Sequence, residues 1–340
     1  MQKQIALAAA CALAASLAQA TTITVNTTVL LGGDGLCSLT EALDSAVADF
    51  VWDADCVQGS GADTIEFDPI AFPAGSTIAL NGALEINQVS DTTIDGGGRV
   101  TLDAGGTSPV VSAALAGTTL TLRGLTLTGG QANPSDGGGI YVDGVTLNID
   151  NSVITGNTAA VNGGGLFARD STVTITDSLF TANVASMGIG GAIYATGSGS
   201  LTMTNSRLTG NIANTRGGAV GASTAAMMTG NIIANNALLT PGVGAGVWFT
   251  AAPVRTLNNN QITDNTPGDN CGGTPFTGTG NRYWPESDTS CPAAAGSFVN
   301  PVAPPAVPAA IPVDAPWALT LLSALVAALG VQRRQRAIKI

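Results

Sequence analysis

Arg169 and Asp170 are adjacent, and Asp143, Asp150, Asp177 and Arg207 fall within a few tens of residues of them. Several carboxylates beside one guanidinium are what a calcium-dependent polysaccharide lyase or a glycosidase needs. The acids hold the cation or share the acid–base work, and the Arg serves as base. Arg169, Asp143 and Asp170 are therefore the catalytic candidates. The plainer reading is of solvated turn and face charges, because Asp177 aligns with Asn151 and not with Asp150. Asp53, Asp55 and Asp63 flank Cys56 in a Gly- and Asp-rich stretch and are the metal candidates. Their oxygens suit Ca²⁺, although no EF-hand or nonapeptide calcium pattern is present. No cofactor other than calcium is implied. The chain has no histidine. That excludes a His general base and a Ser-His-Asp triad, and it removes most zinc chemistry.

These groups sit on a repeat. A Gly-rich step precedes an apolar residue at Ile140, Leu166, Ile193, Val220 and Val247, and Val142, Ala168, Ala195, Ala222 and Phe249 follow two positions on. A second apolar column is Leu127, Ile154, Phe180, Leu208, Ile233 and Ile262. Three positions after it come Gly130, Asn157, Asn183, Asn211, Asn236 and Asn265. Asn151, Asp177, Asn205, Asn231 and Asn259 mark a further polar turn. Within each unit the alternation has period 2, with Leu147 and Ile149 facing one way and Asn148 and Asp150 the other. A unit of roughly 26 residues with short strands cannot bury its apolar side alone, but stacked units can. The pattern predicts an all-β, right-handed parallel β-helix. A sandwich would not hold this register, and a leucine-rich repeat needs more Leu and a helix per unit.

The flanks read as caps and addresses. Ser38-Leu39-Thr40-Glu41 is a capping-box pattern. Leu39, Leu43, Val47 and Phe50 follow at helical spacing, so residues 39–50 are expected to form an amphipathic helix over the open N-terminal end. Ile94-Asp95-Gly96-Gly97-Gly98 reads as an Asp-Gly turn. Residues 1–20 have the parts of a secretory signal: Lys3, an apolar Ala-rich run and a small-x-small site at Ala18-Gln19-Ala20. The mature chain then starts at Thr21 and has four cysteines. In an exported protein these read as disulfides. Three pairings are possible. Cys37–Cys56 with Cys271–Cys291 is favoured because each closes a short loop at one end of the repeat. The expected organisation is signal 1–20, cap and first coils 21–93, repeats 94–265, C-terminal cap 266–298, Pro-rich spacer 299–316, apolar helix 317–331 and basic cytoplasmic tail 332–340. Seven arginines and all 23 acidic residues lie outside the two end segments, leaving the body at −16. Such a surface repels nucleic acid and anionic membrane.

Three stretches resemble known families. Ile311, Pro312 and Trp317, followed by an apolar run and by Arg333 and Arg334, resemble the IPTL-CTERM sorting domain of Gram-negative bacteria. Residues 313–316 depart from its Ile-Pro-Thr-Leu-Ser-Glu-Trp signature. That resemblance implies export, an anchor in the membrane through the C-terminal helix, sorting machinery as a partner, and delivery to the surface. Gly190-Gly191-Ala192-Ile193 and Phe180-Thr181-Ala182-Asn183 resemble polymorphic outer-membrane protein repeats. This implies a surface-exposed, adhesive β-helix. Cys37 to Leu43 is similar to the Cys-Ser-Leu-Arg-Glu-Ala-Ile start of secreted bacterial β-helix proteins, with Thr40 in place of the Arg. The functional expectation is an adhesin-like or matrix-associated surface protein. Its outward Asn, Thr and Asp rows would hydrogen-bond to extracellular polysaccharide or to a surface protein.

Overall fold

A computed structural model describes residues 20–30, 32–48, 55–86, 90–250, 254–284, 288 and 290–291. One coil shows the plan. Ile140–Asp143 forms a first wall, Thr146–Asp150 a second, Val153–Thr155 a third and Thr158–Ala159 a fourth. A glycine loop then returns the chain to Leu166–Arg169, directly beside Ile140–Asp143 in parallel register. Among the described residues, walls two and three merge into a sixteen-stranded sheet. Wall one has eight strands and wall four has five. The reason is local. Val, Ile, Leu and Thr at period 2 favour short strands, and each strand finds its partners one coil before and one coil after.

The apolar columns are continuous. Ile23, Ile65, Ile94, Leu122, Ile149, Ile175, Met203, Met228 and Leu257 lie in one register through wall two. All are buried. The insert after Thr22–Val25 carries the helix Leu39–Ala48, which packs on that strand and on Asp63–Phe67. Its start is the expected box. Ser38 N–H donates to Glu41 Oε2 at 2.8 Å, and Glu41 N–H donates to Ser38 Oγ at 3.3 Å. Leu39, Ala42, Leu43 and Ala46 face inward. The Val47 side chain and Phe50 lie outside the described residues. Cys37–Cys56 and Cys271–Cys291 are disulfide-bonded, with Cα–Cα distances of 4.8 and 5.0 Å.

Two sequence expectations change. Cys271–Gly273 and Arg282–Trp284 continue walls one and three, so the coil runs on into the segment expected to be only a cap. The asparagines also divide into two roles. Asn157, Asn183, Asn211 and Asn236 are fully buried and point into the coil. The left-handed turn is made one residue earlier, by Gly156, Ala182, Gly210 and Asn235 at φ of 54–66°. Asn231 likewise belongs one position further along than expected. Gly230 holds the left-handed site that Asn151, Asp177, Asn205 and Asn259 hold in other coils, while Asn231 lies inside.

The inward asparagines form a ladder. Asn157 N–H and Nδ2 both donate to Asn183 Oδ1, at 3.1 and 3.0 Å, and Nδ2 also reaches Leu127 O at 3.1 Å. The pattern repeats from Asn183 to Asn211, Asn236, Asn265 and Asn270. It ends where Asn270 N–H donates to the Asp288 carboxylate at 2.7 Å. Burial alone would raise the Asp288 carboxyl, but hydrogen bonds from Ser290 and Asn270 outweigh it and hold it below the ordinary carboxylate value. A second ladder runs through Ser152, Ser178, Ser206, Asn231, Asn260 and Asn281.

Asn183→Ala removes four hydrogen bonds and strands buried donors on Asn157. It should cost about 3–4 kcal/mol in chemical denaturation. In the adjacent turn, Ala182 holds a φ of 54° that glycine holds in neighbouring coils. Ala182→Gly should therefore stabilise by about 0.5–1 kcal/mol, and Gly156→Ala should destabilise by a similar amount, read from the same denaturation midpoints.

Candidate functional site

The charged candidates are separated by the walls that carry them. Asp143 and Arg169 are partners in adjacent coils of wall one, and Arg169 Nη2 bonds Asp143 Oδ2 there. The pair is about half exposed on the Arg side. The bonded carboxylate holds the guanidinium well above its ordinary value, so Arg169 stays a cation. Asp170 is the next residue, but it turns the corner at a φ of 49°. Its Oδ1 accepts the Ser198 N–H at 2.8 Å and the Ser198 hydroxyl at 3.0 Å, and those bonds lower its pKa. Asp150 lies on wall two, where Arg123 Nε is 3.3 Å away and Arg123 also faces Asp95 at 3.6 Å. Arg207 lies on wall three, beside Leu179 and Ile232. Asp177 holds the left-handed corner between walls two and three. The six groups do not converge: one ion pair faces out from wall one, another cluster from wall two, and Arg207 from wall three. Each pair is exposed enough that water screens it.

The metal candidates divide in a similar way. Asp55 Oδ2 accepts the Gly35 N–H at 2.9 Å. Asp63 is buried and accepts the N–H groups of Thr21 and Ser60 at 3.0 and 2.9 Å. Asp53 lies outside the described residues. Among the described residues, no group of three or more Cys, Asp or Glu is placed to hold a metal.

The outward side of the strands carries what remains. On wall two the outer columns are threonine-rich. Thr121, Asn148, Thr174 and Thr202 form one, and Thr146, Thr172 and Ser200 another. Rungs are about 4.8 Å apart and alternate residues about 6.6 Å apart, so the hydroxyls form a flat grid. Of the expected outward asparagines only Asn148 falls in these two columns: Asn157, Asn183, Asn211 and Asn236 lie in the buried ladder, and Asn151, Asn205 and Asn259 are exposed at the corner between walls two and three. Beside wall four, Gln131, Asn133, Thr158, Ala160, Ser186 and Met187 line a groove of about 240 Å³.

Wall one carries an outer row that the reading of the sequence passes over. Tyr141, Phe167 and Tyr194 are register partners, followed by Gly221 and Trp248. Tyr141 and Phe167 stack with centroids 5.5 Å apart at 14°, and Phe167 and Tyr194 are 6.0 Å apart. Arg216 lies over Trp248 at 4.9 Å. A signal for the row exists: these residues sit between the two inward columns, Ile140 to Val247 and Val142 to Phe249, at the same spacing. The rings face each other along the coil, so they offer edges and hydroxyls outward and not open faces. Their role is to cover the wall.

The residues that lie outside the described structure include 1–19, the sorting residues Ile311, Pro312, Trp317, Arg333 and Arg334, and the apolar run 317–331. Among the described residues, no helix is long and apolar enough to cross a membrane.

Phe167 is 4 % exposed although it lies on the outer side. Phe167→Ala should cost about 3 kcal/mol in chemical denaturation. A cost below about 1 kcal/mol would mean that the stack contributes no more than an ordinary exposed side chain.

Comparison with known proteins gives two matches. A family model for the right handed beta helix region matches residues 113–283, which includes most of the added C-terminal coil. A model for the IPTL-CTERM motif matches residues 309–336. No curated protein and no solved structure gives a significant match. The first match spans half of the chain and coincides with the stacked coils described above, and the chain therefore belongs to the right-handed β-helix family.

Proposed function

We propose that the protein is an exported cell-surface β-helix with an adhesin-like or matrix-associated binding role, and that its outer walls engage an uncharged polysaccharide or a surface protein. The observation that carries this reading is the division between the two sides of each strand. The ladder asparagines spend their amides inside the coil, and the outward Asp143 of wall one and Asp95 and Asp150 of wall two face arginines. What faces solvent in a repeating array is hydroxyl and amide chemistry, on wall two and in the groove beside wall four. Groups of that kind, spaced by the coil, suit a ligand that is itself a repeating array of hydroxyls. The strongly acidic body favours a neutral partner over an anionic one.

Export is supported by the IPTL-CTERM match and by the secretory pattern in residues 1–20. The Gly-Gly-Ala-Ile and Phe-x-x-Asn units resemble repeats of surface-exposed adhesive domains, which favours the same location. On this reading the sorting machinery recognises Ile311, Pro312 and Trp317. The apolar run 317–331 then serves as an anchor during delivery.

The alternative is a calcium-dependent lyase or glycosidase built on Arg169, Asp143 and Asp170. The two readings part in one experiment. The purified protein is passed over immobilised neutral and acidic polysaccharides with and without Ca²⁺, while unsaturated-uronate absorbance and new reducing ends are followed. Retention on a neutral glycan without product is the expected result, and Thr174→Lys with Thr202→Lys should weaken it at least about tenfold if wall two is used. Product formation that Arg169→Ala abolishes would overturn the binding reading. Absence of both retention and product would overturn the polysaccharide as ligand.

A further inference from the structure

Asp63 begins the strand that pairs with the first rung of the coil, and it is 2 % exposed. Its Oδ1 accepts the backbone N–H of Thr21 at 3.0 Å and that of Ser60 at 2.9 Å. Its Oδ2 is buried and accepts nothing. Gly59 presses against that oxygen, with no room there for a Cβ. No Lys or Arg pairs with Asp63 among the described residues. A buried carboxylate with one empty oxygen and no countercharge is unfavourable, and a fold that keeps one implies a cation to come.

The sequence supplies one at the same nitrogen. Ala18-Gln19-Ala20 is a small-x-small cleavage pattern, and cleavage after it makes Thr21 the first residue. Hydrolysis of the Ala20–Thr21 peptide consumes one water. The C–N bond breaks, the hydroxyl goes to the Ala20 carbonyl carbon and a proton goes to the Thr21 nitrogen. At neutral pH Ala20 leaves with the leader as a carboxylate, and its acid proton is taken up by the Thr21 amine as an ammonium. The surrounding geometry is already set for this. Thr21 O accepts the Thr64 N–H at 2.9 Å, and the Thr21 and Ser60 hydroxyls are 2.9 Å apart. The paired strand begins at Thr22, one residue after the cleavage site, and Ala20 is exposed.

We propose that removal of the leader converts the Thr21 amide into an α-ammonium that pairs with buried Asp63, and that this ion pair locks the first rung of the coil. Two separate readings, a cleavage pattern at Thr21 and a half-satisfied buried acid at Asp63, meet at one contact, Thr21 N to Asp63 Oδ1. The device places the added charge at the open end of the solenoid, where the edge strand has a neighbour on one side only. A precursor that still carries its leader lacks the charge, so its first rung opens more readily. The cleavage step rests on the export reading above, whereas the docking step is independent of it.

The test separates the two. The full chain is prepared with Thr21 as its first residue and, in parallel, with Ala20 as its first residue, which moves the amine one position away. Both are made with Asp63 and with Asp63→Asn. Hydrogen exchange is followed at the amides of residues 64–68, two of which donate to the Thr21 and Val25 carbonyls. The expected result is at least about tenfold slower exchange for the Thr21 chain, with the difference gone in Asp63→Asn. Equal exchange in the two chains, or a difference that survives Asp63→Asn, would overturn the docking. N-terminal sequencing of the exported protein should read Thr21, and any other first residue would overturn the cleavage step while leaving the docking result standing.

Discussion

An asparagine side chain inside an apolar coil must find partners for two N–H donors and a carbonyl oxygen, and the ladder asparagines find theirs chiefly along the axis of the stack. The coil depends on this constraint more than on any single apolar contact. Asn183 accepts from Asn157, donates to Asn211, and ties its remaining N–H to the Ile154 carbonyl of the coil before. The same link recurs at Asn211 and Asn236. An amide bridges one coil spacing and no more, so a coil that slipped by one residue would leave several buried polar groups unpaired at once. Apolar columns such as Ile149, Ile175 and Met203 tolerate exchange of one aliphatic residue for another. The ladder does not, and it is what makes the register unique.

The ends of the coil follow from the same constraint. A ladder must finish on a group that can accept without needing a further acceptor of its own. At the C-terminal end the Asp288 carboxylate accepts from Asn270, and Cys271–Cys291 holds the segment that carries it close to the last coil. Tyr283 closes the neighbouring apolar column, and burial pushes its phenol up to about 12, so it remains neutral. At the N-terminal end a capped helix covers the opening. Cys37–Cys56 joins the segments before and after the helix, and the Asn26 side chain next to the first strand accepts from Cys37 N–H at 2.8 Å. At each end of the coil a disulfide thus ties a short segment beside the terminal rungs.

Spacing makes the coil legible in the sequence, because residues that must stack recur at the coil length. Leu166, Ile193, Val220 and Val247 fall into one column for that reason, and the capping box at Ser38 and Glu41 carries its own local chemistry. Spacing does not say which side of the backbone a polar residue takes. Asparagine is equally at home in a left-handed turn and in a buried ladder, so Asn157 and Asn183 read as turn residues although Gly156 and Ala182 make the turn. Asn231 is displaced by one position for the same reason. The charged candidates fail in another way. Asp143 and Asp150 are close in sequence, but a corner between walls sends them in different directions, and Arg207 lies two coils on and on a third wall. Tyr141, Phe167 and Tyr194 have the right period and escape notice because aromatic residues between two apolar columns look like more of the core.

The claim that the ladder holds the register is tested most directly on the asparagine side chains themselves. In protein labelled with ¹⁵N at asparagine, the exchange of the Asn157, Asn183, Asn211 and Asn236 side-chain NH₂ groups with solvent can be followed by NMR. If the ladder is the element on which the coil depends, these protons exchange only when the whole coil unfolds, at rates matching the slowest backbone amides. Exchange of these NH₂ groups at the rate of exposed asparagine, while the backbone amides of the same coils stay protected, would show that the coil keeps its register without them and would contradict the account.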